Sequence, residues 1–207
     1  MRDIYESLQN PIRPMGATNM THMRKKPHFA DALQILDQFG LIPLMELQCD
    51  YSPAMITQFY STVVFCGDEH KTMKWMSGTE PCEAILSHFG SLLGYKVGEG
   101  RRMHGAGDHT KNQMSSLYDT HGKIGYMTGL LPLYSQLDRL LRDNLHPSGG
   151  NNDAIRSSLV ELLCLAQKCA ENEVPGKDFR IDVMDYIHAE MYEAMINRAL
   201  CHMLHIS

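Results

Sequence analysis

The sequence predicts a mainly α-helical domain with one small antiparallel β-hairpin. Two observations carry this. Apolar residues recur at helical spacing in six separate segments, each bounded by Pro, Gly or capping residues. A single stretch, residues 62–76, shows β-branched and aromatic residues in alternation around a turn.

Residues 1–28 hold Pro11, Pro14, Gly16 and a basic cluster before Pro27, and read as a flexible basic arm. Over residues 29–39 the apolar positions 29, 32, 33, 36 and 39 share one helical face, and Gly40 suits a helix end. Ser52-Pro53 supplies an N-cap and a first-turn proline for a helix reaching about Tyr60. Thr62-Val63-Val64-Phe65, the turn residues Gly67 to His70, and Thr72-Met73-Lys74-Trp75-Met76 then form the expected hairpin. Because an isolated hairpin is marginal, one of its faces must lie against helices. Thr79-Glu80-Pro81 is expected to open a helix with the stripe Cys82, Ile85, Leu86, Phe89 and Leu93, ending at Gly94.

Residues 96–116 carry four glycines and almost no apolar side chain, and read as a Gly-rich loop. It separates residues 29–95, helices plus hairpin, from a helical part over residues 117–207 that shares the same core. That part contains a helix over residues 132–145 with Leu133, Leu137, Leu140, Leu141 and Leu145 on one side. A second is expected over 154–170, with Ile155, Leu159, Leu162, Leu163 and Ala166 aligned. A third is expected over 182–204, capped by Asp182, with Asp185 in its first turn and an acidic face including Glu190 and Glu193 in water.

The chain has 207 residues, 43% apolar and 21% charged, enough to bury a core without disulfides or metal. Lys+Arg 19 against Asp+Glu 24 gives a net charge of −5, against a strongly basic nucleic-acid binder. No apolar run approaches the roughly 18 residues that a membrane span needs. The N-terminus lacks the apolar core of a signal peptide. The six cysteines therefore read as reduced, buried thiols of a cytoplasmic or nuclear protein, with mitochondrial targeting only weakly supported. The fifteen methionines read as adaptable core filling.

No catalytic, cofactor-binding or metal-binding set emerges. Gly100 and Gly105 have P-loop spacing, but Ala106-Gly107 stands where the phosphate-binding lysine and hydroxyl are required. Cys164 and Cys169 diverge on a helix, and neither His104/His109 nor Cys201-His202 with His205 has a matching second pair for zinc. Two segments remain as candidate contact sites. Arg101, Arg102, His104, His109 and Lys111 form a basic interaction loop that could meet an acidic surface. Ser148, Gly149, Gly150 and Asn151 are a candidate anion-facing helix start.

An ordered series of short motifs runs through the chain. It comprises Phe39-Gly40-Leu41, then Ile56-Thr57-Gln58-Phe59-Tyr60-Ser61-Thr62, Val64-Phe65, Trp75-Met76-Ser77-Gly78 and Phe89-Gly90-Ser91-Leu92-Leu93-Gly94-Tyr95. Thr128-Gly129-Leu130-Leu131-Pro132-Leu133-Tyr134, the block from Pro147 through Arg156, and Ile181-Asp182-Val183-Met184-Asp185-Tyr186-Ile187 follow. The series resembles the plant transposon-protein domain of retroelement-derived open reading frames, especially its grass members, over roughly residues 30–200. The resemblance implies descent from a mobile element and supplies no catalytic residues. It also implies that this chain is a shortened or host-adopted copy.

The function expected from these readings is a non-enzymatic, retroelement-derived protein acting through protein–protein contact, in regulation, defence or a selfish-element role. It needs no cofactor. Its partner is another protein, and homo-oligomers would give apolar helical stripes cover. The alternative is a nucleic-acid-binding gag-like or transposase-like element protein, carried by the basic arm and loop.

Overall fold

The computed structural model describes residues 19–47, 50, 52–67, 71–102, 111–145, 153–155, 157–171 and 179–204. They form helices and one small antiparallel sheet, mainly α with minor β as the sequence predicts. The chain divides into two compact units, each assembled from separated segments. One, the sheet unit, holds the described residues from 50 to 98 and from 182 onward. The other, the helical unit, holds those from 19 to 47 and from 99 to 181.

In the sheet unit, α4 (Pro53–Thr62) starts as expected. The Ser52 hydroxyl accepts the Met55 N–H at 3.4 Å, and Pro53 occupies the first turn, where no N–H is needed. Three strands follow: β1 (Val64–Cys66), β2 (Thr72–Ser77) and β3 (Glu80–Ile85), in the order β1-β2-β3. The third strand corrects the sequence expectation of a helix opening at Thr79. Pro81 is tolerated because β3 is an edge strand, where a missing ladder N–H costs nothing. Pairing runs Lys74 with Glu83, Trp75 with Cys82 and Thr72 with Ile85. The helix α5 (Leu86–Leu93) begins only after β3 and ends at Gly94 with φ 80°, as its sequence signals.

The sheet buries one face. Val63, Phe65 and Met73 form its centre, with Phe59 from α4, Trp75, Ala84 and Phe89 around them. Met191, Tyr192 and Met195 of α9 (Val183–Leu204) close over the same cluster. Aromatic edges organise it: Phe59 meets Trp75 at 5.5 Å, and Phe65 meets Tyr192 at 5.6 Å and His188 at 5.3 Å. The Gln58 side chain reaches the β2–β3 turn as a strand would. It donates to the Gly78 carbonyl at 2.8 Å and accepts the Gly78 N–H at 2.9 Å. α5 approaches α9 closely at Gly90, where a Cβ would stand 2.9 Å from Met184 Cγ.

In the helical unit, α1 (Met20–Arg24) and a 3-10 turn (Pro27–Phe29) precede α2 (Ala30–Gln38) and α3 (Ile42–Glu46). The arm expected over residues 1–28 lies outside the described residues up to 18. Its last part is helical instead, because Asn19 caps α1 through the His22 N–H and Met20 is buried. α6 (Lys111–Ser115), α7 (Pro132–Leu145) and α8 (Ser157–Ala170) complete the unit. α2 lies against α7 and α8, and α6 against α8. The core is Ala32, Ile35, Leu36 and Phe39 facing Leu137, Leu141, Leu159, Leu162, Leu163 and Ala166; Ile35 is buried outside the expected α2 stripe, and Phe29 and Leu33 of that stripe are half-buried. Burying each of the Leu, Ile and Phe side chains of this core is worth about 1.5–3 kcal/mol.

Candidate functional site

Of the predicted contact residues, Arg101, Arg102 and Lys111 are among the described ones. Arg101 and Arg102 are exposed in the helical unit, and the Arg101 N–H donates to the Arg180 carbonyl at 2.8 Å in a single parallel bridge with Ile181. The Gly-rich stretch is thus pinned at Arg101 and becomes helical at Lys111, the exposed first residue of α6. His104 and His109 lie outside the described residues. So do Ser148, Gly149, Gly150 and Asn151. The helix expected from Ala154 begins at Ser157. The reason is local. Ala154 bridges Tyr126 and the Ile155 N–H donates to the Gly125 carbonyl, which holds residues 154 and 155 extended.

Sequence reasoning passed over the polar network of the helical unit. Asp138, wholly buried on α7, takes the Arg142 Nη2 on both carboxylate oxygens at 3.3 Å. The same nitrogen donates to the Ala154 carbonyl at 3.2 Å. Nearby, the Tyr118 hydroxyl accepts the Gly125 N–H at 3.0 Å, and the Met127 N–H donates to the Asp153 carbonyl at 2.8 Å. These bonds stitch the turn-rich segment 118–131 to residues 153–155. The available signal was the i, i+4 spacing of Asp138 and Arg142. Burial raises the Tyr118 and Tyr134 hydroxyls and the Cys169 thiol above their ordinary pKa values, and pushes the Cys164 thiol up to about 11. Such thiols are poor nucleophiles.

In the sheet unit, the acidic start of α9 is not the wet face expected for it. Asp182 and Asp185 are buried. Asp182 accepts the Asp185 N–H on Oδ1 at 3.0 Å and the Gly98 N–H on Oδ2 at 2.7 Å. Backbone donors and the helix dipole take the place of water around that carboxylate. Glu193 alone of the four acids is exposed, and Glu190 is half-buried. Among the described residues, no group of three or more His, Cys, Asp or Glu side chains could hold a metal ion.

The remaining feature is the outer face of the sheet. Strand alternation places Val64, Cys66, Thr72, Lys74, Met76, Pro81, Glu83 and Ile85 on one side, opposite the buried Phe65 and Met73 and the half-buried Ala84. Val64 is 58% exposed and Ile85 41%. Lys74 Nζ pairs with Glu83 Oε2 at 3.1 Å across the middle of this face, and that bond raises the Lys74 pKa. Leu92, on α5, is 84% exposed. The face can make non-covalent contact through aliphatic side chains surrounding one ion pair.

No protein-family model, curated protein or solved structure matches this chain. Among the described residues no helix is long and apolar enough to cross a membrane.

Proposed function

We propose that this chain is a non-enzymatic interaction protein of retroelement descent, working through protein–protein contact in a host-adopted or selfish-element role in the cytoplasm or nucleus. The observation carrying this reading is the outer sheet face, where Val64 and Ile85 meet solvent beside the ion pair of Lys74 and Glu83. Exposed aliphatic side chains grouped on a regular surface are a usual mark of a contact site. The motif series from Phe39 to Ile187 supports the descent. The test is quantitative. A bound partner is identified, purified and titrated against wild type, Val64→Asp and Ile85→Asp. The reading expects at least about tenfold weaker binding from one of these variants, a loss of about 1.4 kcal/mol. A partner bound equally by all three, or no partner bound by purified wild type, overturns it.

A second reading, nucleic-acid handling, is favoured by one observation. The bridged segments around Arg101 and Ile181 carry exposed Arg101, Arg102 and Arg180. Phosphate contacts must weaken with salt. Binding to single- or double-stranded nucleic acid that falls steeply across a salt series supports this reading, and salt-independent or absent binding removes it.

A further inference from the structure

We infer that residues 24–29, where α1 runs into the 3-10 turn, form a binding site for single-stranded nucleic acid, with Lys25 and Lys26 on phosphates and the His28 ring on a base. The inference rests on the nucleic-acid reading above and gives it a site built from residues other than Arg101, Arg102 and Arg180. No acid stands among residues 19–30, while Arg24, Lys25 and Lys26 are consecutive in a chain whose net charge is −5. Positive charge gathered at one place, against the sign of the whole chain, draws a polyanion there. Arg24 already has an anion, because its Nη2 pairs with Glu46 Oε1 of α3 at 2.9 Å. Among the described residues neither the Lys25 nor the Lys26 ammonium has an ion-pair partner.

The main chain fixes this segment before any ligand arrives. Met20 is buried, and the Asn19 side chain caps α1 by accepting the His22 N–H at 2.9 Å. The Lys25 N–H donates to the His22 carbonyl at 3.2 Å, and the Lys26 N–H to the Met23 carbonyl at 3.0 Å. The Phe29 N–H donates to the Lys26 carbonyl at 3.0 Å, and Pro27 between them has its φ locked by its ring. Lys25 and His28 are thereby held exposed, and Lys26 half-buried, so binding orders little backbone. The rings decide which polyanion fits. The exposed His28 ring leans on half-buried Phe29, with centroids 4.4 Å apart and planes tilted by 43°. Cations beside an aromatic platform suit a single strand, whose bases are free to stack while its phosphates meet the cations. A duplex keeps its bases stacked on one another, and an acidic peptide offers the ring no base.

Fluorescence anisotropy of a labelled oligothymidylate of about 20 nucleotides, titrated with the full chain in about 50 mM salt, tests this. Wild type is expected to bind in the micromolar range, and at least about fivefold more tightly than it binds the duplex with oligoadenylate. Lys25→Glu/Lys26→Glu should weaken binding at least about tenfold. It should also lower the slope of log K against log salt by about 1.4, from two phosphate contacts at about 0.7 each. Lys25→Arg/Lys26→Arg should bind as wild type. His28→Ala should bind about fivefold more weakly, and His28→Phe should recover the loss. Lys74→Glu/Lys123→Glu makes the same change in net charge elsewhere and should bind as wild type. Unchanged circular dichroism verifies folding of each variant. A wild type that binds no single strand, or that binds the duplex or polyglutamate as tightly, overturns the inference. So does full binding by His28→Ala, or a loss in Lys74→Glu/Lys123→Glu equal to that in Lys25→Glu/Lys26→Glu. Binding that survives Lys25→Glu/Lys26→Glu but is lost in Arg101→Glu/Arg102→Glu overturns the inference and leaves the nucleic-acid reading standing.

Discussion

The carboxylate of Asp182 joins two stretches of the sheet unit 84 positions apart, accepting the Gly98 N–H at 2.7 Å while capping α9 through the Asp185 N–H at 3.0 Å. Both donors are backbone groups, that of Asp185 on a buried residue and that of Gly98 on an exposed one. Asp182→Ala should therefore cost about 2–3 kcal/mol, the sum of a lost cap and a lost charged hydrogen bond. Asp182→Asn keeps one strong acceptor and should fall between. Trp75, the only tryptophan, lies in the core of this same unit, so its fluorescence during urea denaturation reads the loss directly. An unchanged midpoint for Asp182→Ala would contradict the role.

Arg142→Met should be among the most damaging single changes in the helical unit. It leaves Asp138, with no exposed surface, without the guanidinium on its two oxygens. Stranding a buried charge in this way costs about 3–5 kcal/mol. The double change Asp138→Leu/Arg142→Met should be milder than Arg142→Met alone. Thermal denaturation of the four proteins in a double-mutant cycle measures the coupling, and additivity would show that the pair is not a unit.

Helix periods were legible where one face alone meets the core. Leu137, Leu140 and Leu141 of the α7 stripe, the cap and proline of α4, and the Asp182 cap of α9 stand where the sequence puts them. Residues 80–85 were not legible, because Glu80-Pro81 signals a helix start as well as an edge strand. Only pairing with β2 decides between them. The burial of Asp138 and Asp182 was hidden for a related reason. Asp138 left only its i, i+4 spacing to Arg142 as a signal, and the Gly98 N–H that serves Asp182 is remote in sequence, which no local pattern encodes. The outer sheet face could not be assigned before β3 was known, since β3 supplies Glu83 and Ile85.

Gly129→Ala should destabilise by about 3 kcal/mol or more. Its backbone has φ +82°, and an added Cβ would sit 2.2 Å from the Gly122 Cα, where only main chain could yield. Gly78 is the control. It has φ +63° but open space around a Cβ, so Gly78→Ala should cost only about 1–2 kcal/mol of backbone strain. Equal melting temperatures for the two variants would refute the steric account.

Alkaline pH should weaken the helical unit. Burial holds the Cys164 thiol at about 11 against 9.0 in the free side chain, and raises Cys169, Tyr118 and Tyr134 likewise. The folded unit keeps protons that the unfolded chain has already released. This contribution is fully present below pH 9.0 and is lost as pH rises toward about 11. The urea midpoint by circular dichroism should fall across that window, and Cys164→Ala should flatten part of the fall. A midpoint that rises instead would reverse the sign of the account.

The closing of Met191, Tyr192 and Met195 over Phe65 and Met73 sets a timetable for biosynthesis. The ribosome makes the strands more than a hundred residues before the helix that covers them, a delay of roughly 5–20 s at ordinary elongation rates. Through that interval the nascent ribbon carries a bare greasy side, the period in which a chaperone would have most to protect.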